Sequence, residues 1–263
     1  MSTATSDALR QAGEVELPRF TTEELTAIGA EDVSIVQRQG LPEWLGQWPD
    51  EARTAILATA LRAVVARGLV RSPTPAELAA ARETGRLDIE PLGDLRLILS
   101  ARRAPDYVVL VLRETYVGAV YGFTGPDGGP AVVHEEVTPE GFHSFCLRTP
   151  ENAVEALARV ADPDAGARVD GPELGEPEPG SPAQIAASVS GLGSGLTRFE
   201  AVHQREAGDR RTQLTVEEVD AGVRILTATF GVAPRPAAAR EASAAGLRRC
   251  LQALLNDTDD VFA

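Results

Sequence analysis

Hydrophobic and polar positions follow two different periods along this chain. The first has the i, i+4, i+7, i+8 spacing of an amphipathic helix and falls on Leu57, Leu61, Val64 and Val65. Gly68 followed by Leu69 supplies the glycine and the apolar residue that commonly close a helix. These positions predict a helix over residues 50–67.

Capping sequences mark where further helices begin. Thr21 with Glu24, and Thr74 with Glu77, have the T-x-x-E spacing of a capping box, and the second predicts a helix over 75–84. Similar signals predict helices from Thr149 to about residue 161, from Ser181 onward, and over 243–255.

The second period alternates, which is typical of strands. It predicts a short strand in VELPRF and an antiparallel meander made of residues 95–102, 106–115, 116–123, 131–137 and 142–147. The GPDGGP sequence at 125–130 is a turn signal within this run. A second set of strands is predicted at 196–207, 211–219 and 222–232.

The two sets of strands read as a repeat, because each ends in one amphipathic helix. The helical stripes are Val154, Leu157, Ala158 and Ala161 in the first half, and Leu247, Cys250, Leu251 and Leu254 in the last. We therefore expect an α+β fold, a pseudo-twofold repeat with a central antiparallel β-sheet flanked by helices. In this interpretation Phe142, Phe145 and Cys146 have core roles.

Composition divides the chain into segments around this repeat. Residues 1–14 are small and polar, which predicts a disordered N-terminus. Residues 15–161 form the first half, and 162–181 an acidic linker rich in Pro and Gly. Residues 182–256 form the second half and 257–263 an acidic tail.

The charge of the chain restricts its partners. The 263 residues have a formal net charge of −14, and every basic residue is Arg. Such a surface is repelled by nucleic acids and by anionic membranes. Two distant cysteines, and the lack of a signal peptide or of a membrane-spanning window, predict a cytoplasmic protein. The Ala- and Arg-rich composition without lysine suggests an actinobacterial source.

No motif in the sequence predicts catalysis. The three histidines lack the convergent spacing of a metal site, and His143 and Cys146 should point to opposite faces of a strand. A G-x-S-x-G elbow is absent, and SGLGSGL lacks the spacing of a phosphate-binding loop. By alternation, one residue of each of the pairs Glu135–Glu136 and Glu217–Glu218 should point to solvent, and the pairs are interpreted as solvated strand faces. We expect no enzyme activity, cofactor or metal.

The segment TAILATALRAVVARGLV allows a different interpretation, the recognition helix of a winged-helix regulator. It carries only Arg53, Arg62 and Arg67, and another predicted helix follows it where a β wing would stand. Nucleic-acid binding is therefore not expected.

Several stretches resemble the EspG family of chaperones of actinobacterial type VII (ESX) secretion. They are VELPRFTTEEL, LRAVVARGLV with the polar helix after it, LTVEEVDAGVRIL and SAAGLRRCLQALL, spread over residues 15–255. The turn at 221–224 departs from the family, which often has adjacent Gly and Arg there. The resemblance implies a pseudo-twofold α+β fold and binding of the hydrophobic tip of a PE–PPE-like secreted helical heterodimer.

The resemblance also implies where a partner binds, since the family uses a loop between sheet strands and the C-terminal helical region. The candidate loop is residues 123–130, with Phe123, Pro126 and Asp127 at its rim. A plain solvent turn is the alternative for this loop. For the whole protein, the alternatives are another acidic adaptor or immunity-type module, and the winged-helix regulator.

Overall fold

The computed structural model describes most of the chain and allows its elements to be bounded. The described residues are 3–29, 48–84, 87–114, 116–125, 127–164, 166–167, 178–179, 195–204, 208–219, 222–231 and 235–258. The helices in these ranges are α1 Thr3–Ala12, α2 Thr22–Ala27, α3 Asp50–Ala66, α4 Pro75–Thr84, α5 Gly93–Arg103, α6 Pro150–Ala161 and α7 Ala244–Asn256. The strands are β1 Glu14–Thr21, β2 Tyr107–Arg113, β3 Tyr116–Thr124, β4 Pro130–Val137, β5 Phe142–Arg148, β6 Glu178–Pro179, β7 Leu196–His203, β8 Arg210–Val219, β9 Gly222–Gly231 and β10 Arg235–Ala242.

All ten strands form one sheet, and its order confirms the predicted pseudo-twofold repeat. The order is β1-β5-β4-β3-β2-β7-β8-β9-β10-β6, with antiparallel pairing throughout. Strands β2 to β5 form a meander whose outer neighbour is β1, and β7 to β10 form a second meander whose outer neighbour is β6. The two central strands, β2 and β7, join the halves.

Helices cover both faces of the sheet and define two cores. The upper core lies under α6 and α7 and includes strand residues from both halves, such as Val120 and Val216. The lower core lies on the opposite face and includes residues of α1, α2, α3 and α5, such as Leu25 and Ile98. Alternate residues of β2 enter different cores, as Val109 and Leu110 do, because successive side chains of a strand point to opposite faces.

The predicted helix boundaries in the first half are largely confirmed. The Thr21–Glu24 capping box is complete, and Thr74 and Glu77 form the same reciprocal pair of hydrogen bonds. Gly68, the residue after the C-cap of α3, has a left-handed φ of 69°. The amide of Leu69 donates to the carbonyl of Val64, as in a Schellman motif.

Three expectations about the secondary-structure elements and the apolar core were wrong in the described residues. Residues 95–102 lie in helix α5 instead of a strand, since an apolar run this short satisfies both periods. The N-terminus, expected to be disordered, contains α1, whose Leu9 is buried in the lower core. Phe142 was assigned to the core, but 53% of its surface is exposed.

Other expectations fall partly or wholly outside the described residues. The helix predicted to start at Ser181 lies outside the described residues, and of the proposed linker at 162–181 only residues 162–164, 166–167 and β6 are described. Strand β10, on the other hand, was not predicted, because its RPAAAREA sequence lacks the branched and aromatic residues that favour strands.

Candidate partner-binding site

The predicted binding loop is the hairpin between β3 and β4. The Gly125 amide donates to the Gly129 carbonyl, and Gly128, with a φ of 78°, donates back to the Gly125 carbonyl. Of the three predicted rim residues, Phe123 and Asp127 belong to the described structure, whereas Pro126 lies outside it. The hairpin is therefore a closed turn with a left-handed glycine.

Phe123 and Asp127 have different surroundings. Phe123 is half-buried and packs against the lower core, near the end of β3. Asp127 is more exposed and its Oδ2 lies 3.0 Å from Nη1 of Arg10 on α1. Only part of the Phe123 ring therefore faces solvent, and Asp127 connects the hairpin to the N-terminal helix.

A second apolar feature lies between α6 and α7, in the C-terminal helical region that the sequence resemblance also implicates. A cavity of about 370 Å³ opens there, with an apolar lining of Ala158, Ala167, Ala244 and Leu247. Nearby, Nε of Arg248 on α7 lies 2.7 Å from Oε1 of Glu155 on α6. The cavity can accept a small apolar side chain from outside.

Beneath the sheet, a buried polar network was not foreseen from the sequence. Glu135 on β4 accepts a hydrogen bond from the Tyr121 hydroxyl at 2.8 Å, and its Oε1 lies 2.7 Å from Nδ1 of His143. Nε of Arg102 on α5 is 3.5 Å from Oε2 of Glu135, and neither side chain is exposed. Glu135 was interpreted as part of a solvated face, and that was wrong. Its neighbour Glu136 does face solvent.

The electrostatics of this network centre on the Glu135 carboxylate. Burial alone would raise the pKa of Glu135, but the charge of Arg102 and hydrogen bonds from His143 and Tyr121 outweigh it and hold that pKa below its usual value. Burial, reinforced by the charge of Glu135, raises the pKa of Tyr121 well above its usual value. Glu135 is therefore ionised at neutral pH and balances the charge of Arg102.

The network ends in a hydroxyl, which raises the question of catalysis. Oγ1 of Thr22 lies 3.1 Å from Nε2 of His143, so Thr22, His143 and Glu135 are ordered as in a hydrolase triad. However, the Thr22 hydroxyl also donates to the Gly141 carbonyl at 3.2 Å. Thr22 does not line the α6–α7 cavity. It does not line a second cavity at the β1 edge of the sheet either. These contacts of Thr22 tie α2 to β5.

His203 and Arg113 are engaged in structural contacts. Nε2 of His203 lies 2.8 Å from the Leu254 carbonyl near the end of α7, and Arg113 donates to the Val160 and Ala161 carbonyls at the end of α6. Across the described ranges, no three His, Cys, Asp or Glu side chains are arranged to hold a metal ion.

The winged-helix alternative gains no support from α3. Arg53 pairs with Asp50, and Arg62 donates to the Thr59 hydroxyl. Nη1 of Arg67 donates to both carboxylate oxygens of Glu24. The next helix, α4, lies in the chain between Val70 and Pro91, which pair with each other in an isolated bridge. No helix in the described part of the chain is long and apolar enough to cross a membrane.

Comparisons with known proteins find a likeness among solved structures. No family model matches the sequence, and no curated protein matches it. Among solved structures, the chain is similar to the Mycobacterium tuberculosis type VII secretion system chaperone EspG5, solved in complex with a PE25-PPE41 dimer. The identity is 11%, the TM-score is 0.41, and the match covers 71% of this chain and 90% of the other.

Proposed function

We propose that this protein is a cytoplasmic chaperone of an actinobacterial type VII (ESX) secretion system. In this role it binds the hydrophobic tip of a PE–PPE-like helical pair, keeps the pair soluble and directs it to its secretion apparatus. The protein acts by binding and performs no catalysis.

The observation that carries this proposal is the doubled sheet. Five strands and one closing helix occur twice around the β2–β7 pair, and this is the fold that the EspG-like stretches over residues 15–255 imply. Two apolar features lie in the two regions that the resemblance implicates for binding. These are the Phe123 ring at the β3–β4 hairpin and the cavity between α6 and α7.

The surface chemistry suits a chaperone of this kind. A net charge of −14 keeps a complex dissolved after the chaperone has covered an apolar client tip. An apolar side chain of the client can enter the α6–α7 cavity, while the hairpin packs against the client helices.

The test is calorimetric titration of a purified PE–PPE-like pair from the same genome into this protein. Phe123→Asp should weaken binding at least about tenfold, because it puts a charge into an apolar contact. Phe123 is half-buried, so a thermal melt must show that the variant is folded. Phe142→Asp is the matched control, because it makes the same change at an exposed phenylalanine at the start of β5, beside the end of β4 that is far from the hairpin.

The two variants distinguish the outcomes. Normal binding by a folded Phe123→Asp variant would remove the hairpin from the site. Loss of binding only in Phe142→Asp would move the site to the other end of the sheet. No binding by the wild-type protein to any such pair would favour the adaptor alternative. Binding to DNA that falls steeply with added salt would favour the regulator.

A further inference from the structure

A second cavity lies on the upper face of the sheet, beside its β1 edge. Its volume is about 180 Å³, which is the space of about six water molecules. Glu16, Cys146 and His134 stand directly opposite one another on β1, β5 and β4, so they form one row across it. Glu136 and Ser144 form the next row. Neither the hairpin nor the α6–α7 cavity shares these residues.

His134 is the buried residue of the cavity lining, and one of its ring nitrogens makes no hydrogen bond in the described structure. The residue is 1% exposed, and its Nδ1 has no hydrogen-bond partner in the described structure. Its Nε2 lies 2.9 Å from the Tyr116 hydroxyl and 3.9 Å from Oε1 of Glu136. Because a lone pair on Nε2 would face the negative charge of Glu136, the ring proton lies on Nε2 and is donated to the Tyr116 oxygen.

This bonding fixes the imidazole as an acceptor toward the cavity. With the proton on Nε2, Nδ1 of His134 carries a lone pair. Burial, helped by the charge of Arg148, lowers the pKa of His134 to about 3, so the ring is neutral at physiological pH. A buried acceptor of this kind requires a donor, and leaving it unpaired costs free energy.

The mouth of the cavity is acidic. Glu14, Glu16 and Glu136 line it and are exposed, and they outnumber the guanidinium groups of Arg19 and Arg148. Glu14 is paired with Arg148, which leaves the carboxylate of Glu16, in the same row as His134 but on β1, and that of Glu136, two residues further along β4. The cavity therefore presents three acceptors, from β1 and β4, beside Nε of Arg148, a donor that has no hydrogen-bond partner within the described residues.

We propose that this cavity binds the ammonium group of a lysine side chain from a partner protein. An ammonium carries three N–H donors around a compact charge and can meet acceptors that come from different directions. A guanidinium is a planar fork and suits acceptors that lie in one plane. The chain contains no lysine, so neither this molecule nor a second copy can supply the group. The inference does not require the partner to be a secreted helical pair.

The test uses small probes and nuclear magnetic resonance of the full-length ¹⁵N-labelled protein. The probe is N-acetyl-lysine methylamide, and its control is N-acetyl-norleucine methylamide, which has the same stem without the charge. We expect the lysine probe to shift the imidazole nitrogens of His134 and the Cys146 amide with a dissociation constant on the order of 1 mM. The norleucine probe should leave both signals unchanged.

Variants locate the acceptors. Glu16→Gln or Glu136→Gln should each weaken the lysine probe about fivefold, the effect expected for one exposed ion pair. Glu51→Gln on α3 is the matched control, since it removes the same charge from an exposed position outside the cavity. All three variants alter exposed side chains, and their spectra report whether the fold is kept.

Three results would overturn the proposal. One is the absence of any saturable shift with the lysine probe, which would mean that water alone fills the cavity. Another is equal weakening by Glu51→Gln, which would reduce the effect to net charge. The third is equal or tighter binding of N-acetyl-arginine methylamide, which would replace lysine by arginine as the recognised group.

Discussion

At the scale of single residues, the lower core depends on the charge of Glu135. Glu135→Gln would leave the Arg102 guanidinium buried without a counter-ion. We expect a loss of about 3 kcal/mol in the free energy of unfolding, the size seen when one partner of a buried ion pair is removed. Urea titration at pH 7 measures it. Glu136→Gln, at the exposed neighbour on the opposite face, should change stability by less than about 0.5 kcal/mol.

The same residue predicts how stability changes with pH. Because the pKa of Glu135 is lowered in the folded state, its contribution is present above the unfolded pKa of about 4.3 and is lost as the pH falls through the folded value. The stability difference between wild type and Glu135→Gln should therefore be constant near neutrality and shrink below about pH 4. A difference that grows on acidification would contradict a lowered pKa.

The sequence could predict only part of this residue-scale arrangement. Alternation correctly indicated that one of Glu135 and Glu136 faces solvent. It could not show that the other meets a cation, because Arg102 lies in a segment that was interpreted as a strand. Because α5 is a helix packed on the lower face of the sheet, it places Arg102 next to Glu135. Pairing across elements depends on the correct period of both elements.

At the scale of elements, the closing helices of the two halves begin in the same way. The hydroxyl of Thr149 accepts from the Asn152 amide at the start of α6, and that of Ser243 accepts from the Gly246 amide at the start of α7. Thr149→Ala and Ser243→Ala should each cost about 1 kcal/mol of stability in urea titration. Thr59→Ala is the control, because Thr59 is exposed within α3 and caps nothing. Similar losses of stability in all three variants would mean that the capping hydrogen bonds do not account for the effect.

Elements with strong local signals were predicted well, and those that depend on tertiary packing were not. The capping boxes at Thr21 and Thr74 and the glycine after α3 act within one turn, so the sequence alone indicates them. Strand β10 has mostly alanine and arginine, and it forms because β9 offers it a partner. The position of Phe123 was predicted only in part. Its strand was predicted, but its packing against the lower core was not.

At the scale of the whole molecule, the two halves share a sheet and a core. Strands β2 and β7 pair along seven consecutive residues, from Tyr107 opposite His203 to Arg113 opposite Thr197. The upper core contains residues of both closing helices and of both meanders. The sequence repeat correctly predicted two similar halves. The central sheet was also predicted, but its junction at β2 and β7 was not, because a repeat does not say which strands are neighbours.

This shared core predicts that the halves unfold together. Val120 in β3 and Val216 in β8 are both fully buried in the upper core. Val→Ala at either position should cost about 2 kcal/mol. Hydrogen exchange in moderate urea should then show faster exchange in both β3–β4 and β8–β9 for each variant, because global opening exposes both. If each substitution accelerated exchange only in its own half, residues 15–161 and 182–256 would be independent folding units joined by a sheet.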